Sequence, residues 1–173
     1  MSTFLNVIGS YILMEDDALI DAKDLLKVIA VDIMTTTADI FDGEETKQID
    51  LPEIPLLNFE LENGKNFIMT NIPLYIAIDI VRKLSGIEKQ DSRLSLAEII
   101  PELCVIKKVI IDSIVPFSTA YQATVEITLE GFSETVNFQM IPSHATLLAL
   151  LSDAPIYVSK FVITDDDNEM VEK

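Results

Sequence analysis

The chain has no tryptophan, one cysteine, one histidine, five glycines and only 12 basic residues among 173. Each scarcity excludes something. A lone Cys104 cannot close an internal disulfide, and it sits in an apolar run as a small hydrophobe, in keeping with a reduced, cytoplasmic setting. There is no Cys-x-x-Cys or His-x-x-x-His spacing for a zinc site and no glycine-rich phosphate loop. No apolar run reaches the roughly 20 residues that cross a bilayer, and the first residues lack the basic start of a signal peptide. The few Lys and Arg form no basic stripe, which disfavours nucleic-acid binding by phosphate neutralisation.

What is present is apolar and acidic. Hydrophobic residues make up 49% of the chain, ample for one domain's core, and the formal net charge is −17. Residues 1–63 hold 14 acidic against 3 basic residues, residues 64–164 hold 10 against 8, and residues 165–173 hold 5 against 1. We therefore expect an N-terminal extension over residues 1–23 and one domain over 24–164. That domain carries an acidic insertion at about 35–55, and an acidic tail follows over 165–173. The charge reads as solubility and self-repulsion.

Asp16 and Asp17 precede ALIDAKDLLKVIAVDIM, which predicts a short helix and then a Val- and Ile-rich strand over 26–34. Residues 1–13 fit a strand or an apolar helix. TTT, DGEE, Pro52 and Pro55 predict loop or a loose hairpin over 35–55. Asn63-Gly64 between apolar runs predicts a tight hairpin. A helix is expected over 72–84, with Pro73 in its first turn, Gly86 past its end and Asp79 paired to Lys83. Its remaining residues are nearly all apolar and need cover, from this core or another subunit.

A shorter helix over 92–102 and a strand over 103–115 follow. Tyr121, Ala123, Val125, Ile127 and Leu129 alternate with polar residues as a half-buried strand, which Glu130-Gly131 turns back into 132–140. A helix over 141–151 and a strand over 155–163 complete the pattern. The expected fold is α+β, a mixed, largely antiparallel sheet packed against two to three helices. One echo runs through it: IMTNIPLYIAIDIVRKLSG and FQMIPSHATLLALLSDA, 69 residues apart, both lead from a strand through Ile-Pro into an apolar helix. Duplication and shared helix-start chemistry both account for it.

Four stretches together resemble the bifunctional nuclease domain family: NGKNFIMTNIPLYIAIDIVRKLSG, SRLSLAEII, TAYQATVEITLEG and IPSHATLLALLSDAPIYVSKFVI. They cover roughly residues 56–163 in the family's order. The resemblance implies that family's α+β fold and hydrolysis of DNA or RNA phosphodiester bonds, with Mg²⁺ or Mn²⁺ if activity is retained. It also implies candidate catalytic residues Glu98 and Arg93 and candidate substrate-binding residues Ser143 and His144.

The chain departs from the family at polar positions. Ile76-Ala77 stands at a Glu-Ala pair, and Ala97 stands where the family has histidine. Gln139, Ile141 and His144 stand where it has Asp, Arg and Asp. Cleavage needs a metal-organising carboxylate set or a positioned acid–base pair, and those are the positions lost. Read by themselves, Ser143 is a helix cap, His144 a partly exposed first-turn residue, and Arg93 and Glu98 surface residues. Asp165-Asp166-Asp167 reads as a solvated tail, not a calcium loop. The alternative to a weak nuclease is a non-catalytic homo-oligomeric or partner-binding protein.

Overall fold

LLKVIAVDIMTTT, thirteen residues without glycine or proline and rich in β-branched side chains, forms the longest strand, β1 (Leu25–Thr37). The structure is a computed structural model that describes residues 21–37, 53–88, 92–129, 131, 132 and 134–163. After β1 come β2 (Glu53–Leu61), β3 (Asn66–Met69), α1 (Leu74–Leu84), α2 (Leu96–Leu103), β4 (Cys104–Ile114), β5 (Tyr121–Leu129), β6 (Thr135–Met140), α3 (Pro142–Leu151) and β7 (Ile156–Ser159). Among the described residues no helix is long and apolar enough to cross a membrane.

The strands make one seven-stranded sheet in the order β3-β2-β1-β7-β4-β5-β6. Every neighbouring pair is antiparallel except β4–β7, which is parallel. The expected α+β fold with a mixed, largely antiparallel sheet and three helices is therefore what the chain adopts. Two βββα units are visible in this order. β1–β2–β3 runs outward to one edge and closes with α1, and β4–β5–β6 runs to the other edge and closes with α3. β7 joins the two at the centre. The Ile-Pro echo falls at corresponding places in the two units, before α1 and before α3.

Period-two alternation decides which strand faces are buried. Leu57, Phe59 and Leu61 on β2 and Ala123, Val125 and Ile127 on β5 point into the core. Phe59 packs on Phe67 at 6.0 Å between ring centroids, and Phe67 meets Tyr121 edge-on at 5.1 Å. This last contact links β3 to β5, strands from the two different units. α1 lies over β1 and β2, α3 lies over β4 and β5, and α3 also packs against both other helices. α3 is consequently the most enclosed element, with Ala145, Thr146, Leu147, Leu148 and Ala149 all buried.

Turn chemistry matches the sequence where it was clearest. Gly64 takes φ +78°, which only glycine adopts without strain, and the Asn63 side chain accepts from the Lys65 N–H at 3.0 Å. Elsewhere the local expectations need correction. Of the helix expected before β1, the described part is a 3₁₀ turn, Ala22–Asp24, capped by Asp21, and its start lies outside the described residues. Residues 35–37 and 53–55 belong to paired strands, with Thr35 opposite Pro55. Pro55 is tolerated because β3 flanks β2 only from Leu57 to Glu60. The helix expected over 92–102 begins at Leu96, and the last strand stops at Ser159, where Lys160–Val162 forms a 3₁₀ turn. Residues 1–20, 38–52 and 164–173, with most of the expected extension, insertion and tail, lie outside the described residues.

α3 ends in a Schellman closure. The Ala154 N–H donates to the Ala149 carbonyl at 2.9 Å, and Asp153 takes the left-handed conformation, φ 52°. Glycine fits that position better than aspartate. We expect Asp153→Gly to raise unfolding stability by about 0.5–1 kcal/mol, measured by urea denaturation. Its ion pair with Lys83, at 3.6 Å with an exposed carboxylate, does not offset this.

Candidate functional site

The two Ile-Pro starts bring α1 and α3 side by side and parallel. The Tyr75 hydroxyl, in the first turn of α1, lies 3.0 Å from His144 Nε2 in the first turn of α3. At the other ends Lys83 pairs with Asp153. Both helix N-termini therefore lie together, each with first-turn N–H groups and the positive end of its macrodipole. Three surface features follow from this arrangement: a cavity at the N-terminal end, a cleft at the C-terminal end, and the outer face of α1.

The cavity has a volume of about 570 Å³ and is walled by residues 68–72, 118–121 and 141–143. That volume lies within the roughly 300–1,000 Å³ of small-molecule sites. Ser143 lines it and is 2% exposed. Its hydroxyl lies 3.5 Å from His144 Nδ1, long for a hydroxyl hydrogen bond. The expectation that Ser143 caps α3 is corrected: the N-cap is Ile141, Pro142 takes the first helical position, and Ser143 lies inside the first turn. His144 is half-buried in that turn, as expected.

The Tyr75–His144 contact governs what Ser143 can do. Where Nε2 donates to the Tyr75 oxygen, Nδ1 is left to accept from Ser143; where Tyr75 donates to Nε2, the imidazole proton sits on Nδ1, facing Ser143. In that tautomer His144 cannot accept the serine proton. A nucleophilic serine needs the opposite arrangement and an accessible Oγ. Ser143 and His144 are brought together, with the serine almost fully enclosed.

The cleft is much smaller, about 150 Å³, and is walled by Asp79, Arg82, Lys83, Ile87, Ser95, Glu98, Leu147 and Leu151. Glu98 faces it, but its Oε2 accepts from the Ser95 N–H at 2.6 Å and from the Ser95 hydroxyl at 2.7 Å. This is a capping box, which satisfies donors at the start of α2. The expected Asp79–Lys83 pair is replaced by Asp79–Arg82 at 3.4 Å, leaving Lys83 for Asp153. Arg93 lies before the helix, in the exposed segment leading to Ser95. The two candidate pairs, Glu98 with Arg93 and Ser143 with His144, thus belong to opposite ends of the α1–α3 pair. Among the described residues no three His, Cys, Asp or Glu side chains gather to hold a metal ion.

The outer face of α1 is apolar. Leu74, Ile78 and Val81 recur at helical spacing and are 65%, 46% and 41% exposed, flanked by Tyr75 and Leu84. Ile76, Ala77 and Ile80 on the opposite face are buried. Beside its charged residues Asp79, Arg82 and Lys83 the helix is thus apolar on two sides, and the described residues cover only one.

Sequence reasoning missed Tyr75. The signal was present in the 69-residue echo, which puts Tyr75 and His144 at matching positions of the two units. Units that pack face to face bring matching positions into contact. No family model matches the chain, and no curated protein matches it.

Cys104 is the one buried titratable group near these elements. It donates to the Ile100 carbonyl at 3.2 Å, and burial pushes its thiol pKa up. Its contribution to stability is complete below the ordinary thiol pKa and is lost as pH rises through the raised one. At pH 8 we expect iodoacetamide to label native protein at least about tenfold more slowly than urea-unfolded protein, followed by mass spectrometry.

Proposed function

We propose that this chain is a divergent relative of the bifunctional nuclease domain family that keeps the family's fold and works by self-association, not by cleaving phosphodiester bonds. The outer face of α1 carries the reading. Leu74, Ile78 and Val81 face outward as an apolar stripe beside the charged residues Asp79, Arg82 and Lys83, and an exposed stripe of this kind marks a contact surface.

A second copy suits that face for two reasons. In an antiparallel pair, Ile78 of one copy meets Val81 of the other, and Tyr75 meets Leu84, so apolar residues face apolar ones. That is the self-complementarity a twofold interface requires. Charge points the same way. Copies that each carry −17 repel, yet α1 holds one carboxylate, Asp79, and that one is paired with Arg82. The face is therefore a place where like-charged copies meet without opposing carboxylates.

The hydrolytic alternative has weaker support. Glu98, the acid at the family's acidic position, is engaged in capping α2, and the cleft it faces is too small for a nucleotide. A divalent metal enters only on that alternative. Nucleic acid as a partner is disfavoured by the chain's acidity. A cytoplasmic location belongs to the same proposal and rests on the single buried Cys104.

Light scattering after size exclusion should give a dimer at about 50 µM, and Ile78→Asp with Val81→Asp should give a monomer with unchanged circular dichroism. A wild-type monomer at that concentration overturns self-association. With Mg²⁺ or Mn²⁺ and single-stranded DNA or RNA, we expect hydrolysis no faster than a mock preparation. Activity that falls with Glu98→Gln would establish the nuclease reading instead.

A further inference from the structure

The cavity between the two helix starts has an unusual wall for so acidic a chain. None of its twelve lining residues is charged. Six are polar and neutral, Thr70, Asn71, Ser118, Thr119, Tyr121 and Ser143, and the others are apolar. A wall without cations offers an anion no ion pair; the helix starts offer it only backbone N–H groups, of which Pro142 removes one, and a chain of net charge −17 repels it from a distance. A wall without carboxylates offers nothing to a metal or an amine. The groups that remain are hydroxyls and one amide, each able to donate and accept.

The wall is also built in advance of any ligand. Asn71, in the lining, holds φ 59°, and Phe117, next to the lining residue Ser118, holds φ 61°. Asparagine tolerates this conformation, and Phe117 is fully exposed, so the wall's order rests on the bonds of its turn. Ser118 accepts from the Ala120 N–H at 2.8 Å, and Val115 and Ala120 close the same turn with a 2.8 Å backbone bond. Tyr121 is held by its edge-on contact with Phe67. Ser143 is almost fully enclosed, and its 3.5 Å contact to His144 leaves most of its hydrogen-bonding capacity to another partner.

We propose that this cavity binds a neutral, hydroxyl-bearing small molecule of the sugar class. The ring lies on the apolar floor formed by Ile68 and Ile72, and the exposed Ser118 and Thr119 bond its hydroxyls. A ring with one apolar face and several hydroxyls matches a wall that is half apolar and half neutral-polar. The proposal does not depend on self-association, since the cavity and the outer stripe of α1 share no residue.

Ligand-observed NMR of the full chain tests it, with a panel of about twenty neutral mono- and disaccharides and the phosphate esters of those that bind. We expect at least one neutral sugar to bind with Kd at or below about 10 mM, and its phosphate ester at least about tenfold more weakly. Thr119→Trp and Ile141→Trp each fill the cavity from an exposed rim position, and each should abolish that binding while leaving the melting temperature nearly unchanged. No binding by any neutral sugar overturns the proposal, as does a phosphate ester that binds equally well. Binding that survives in both variants overturns the location.

Discussion

The burial of α3 on every side is the constraint from which the rest of the structure follows. Its residues Ala145–Ala149 touch strands β4 and β5 beneath and α1 and α2 at the flanks, and all five are buried. Small residues at Ala145 and Ala149 admit close neighbours, while Leu147 and Leu148 fill the space between them. The one polar side chain in this run, Thr146, donates to the Pro142 carbonyl at 2.8 Å, so its hydroxyl is paired where it is buried. Because α3 needs cover on both flanks, α1 must lie beside it, and the Ile-Pro starts then set the two N-termini together.

That parallel pairing orders the surface. At one end it opens the neutral cavity and joins Tyr75 to His144. At the other it leaves a small cleft in which Asp79, Arg82, Lys83 and Glu98 are held by local bonds. Along its length, α1 covers α3 with one face and leaves the other uncovered. The same apolar richness that builds the core thus supplies the surface proposed for self-association.

Much of the fold was legible from the residues. The alternation in β5, the Asn63-Gly64 turn and the Pro73 and Pro142 helix starts each reflect a local preference that the tertiary structure does not oppose. Errors fell where packing competes with local preference. Pro55 argued for loop, yet its place beyond the end of β3 lets it sit in a strand. Ser143 argued for a cap, but Pro142 takes the first helical position and puts the cap of α3 two residues earlier, at Ile141.

The sites were less legible, the cavity because it depends on contacts between distant segments and Glu98 because the helix was expected to start at residue 92 and not after Ser95. Glu98 looked like a surface acid until Ser95 was placed three residues before it at the helix start. The neutral cavity draws on three separate stretches and has no linear motif. The hidden face of α1 was readable as a need for cover, though not which half would remain open.

Hydrogen exchange measured against protein concentration tests the central claim most directly, because it reads the α1 face and the α3 core in one experiment. Self-association through α1 predicts that amides of residues 74–84 exchange markedly more slowly at about 50 µM than at about 0.5 µM, while those of α3 do not change. Exchange in α1 that is the same at both concentrations would contradict it.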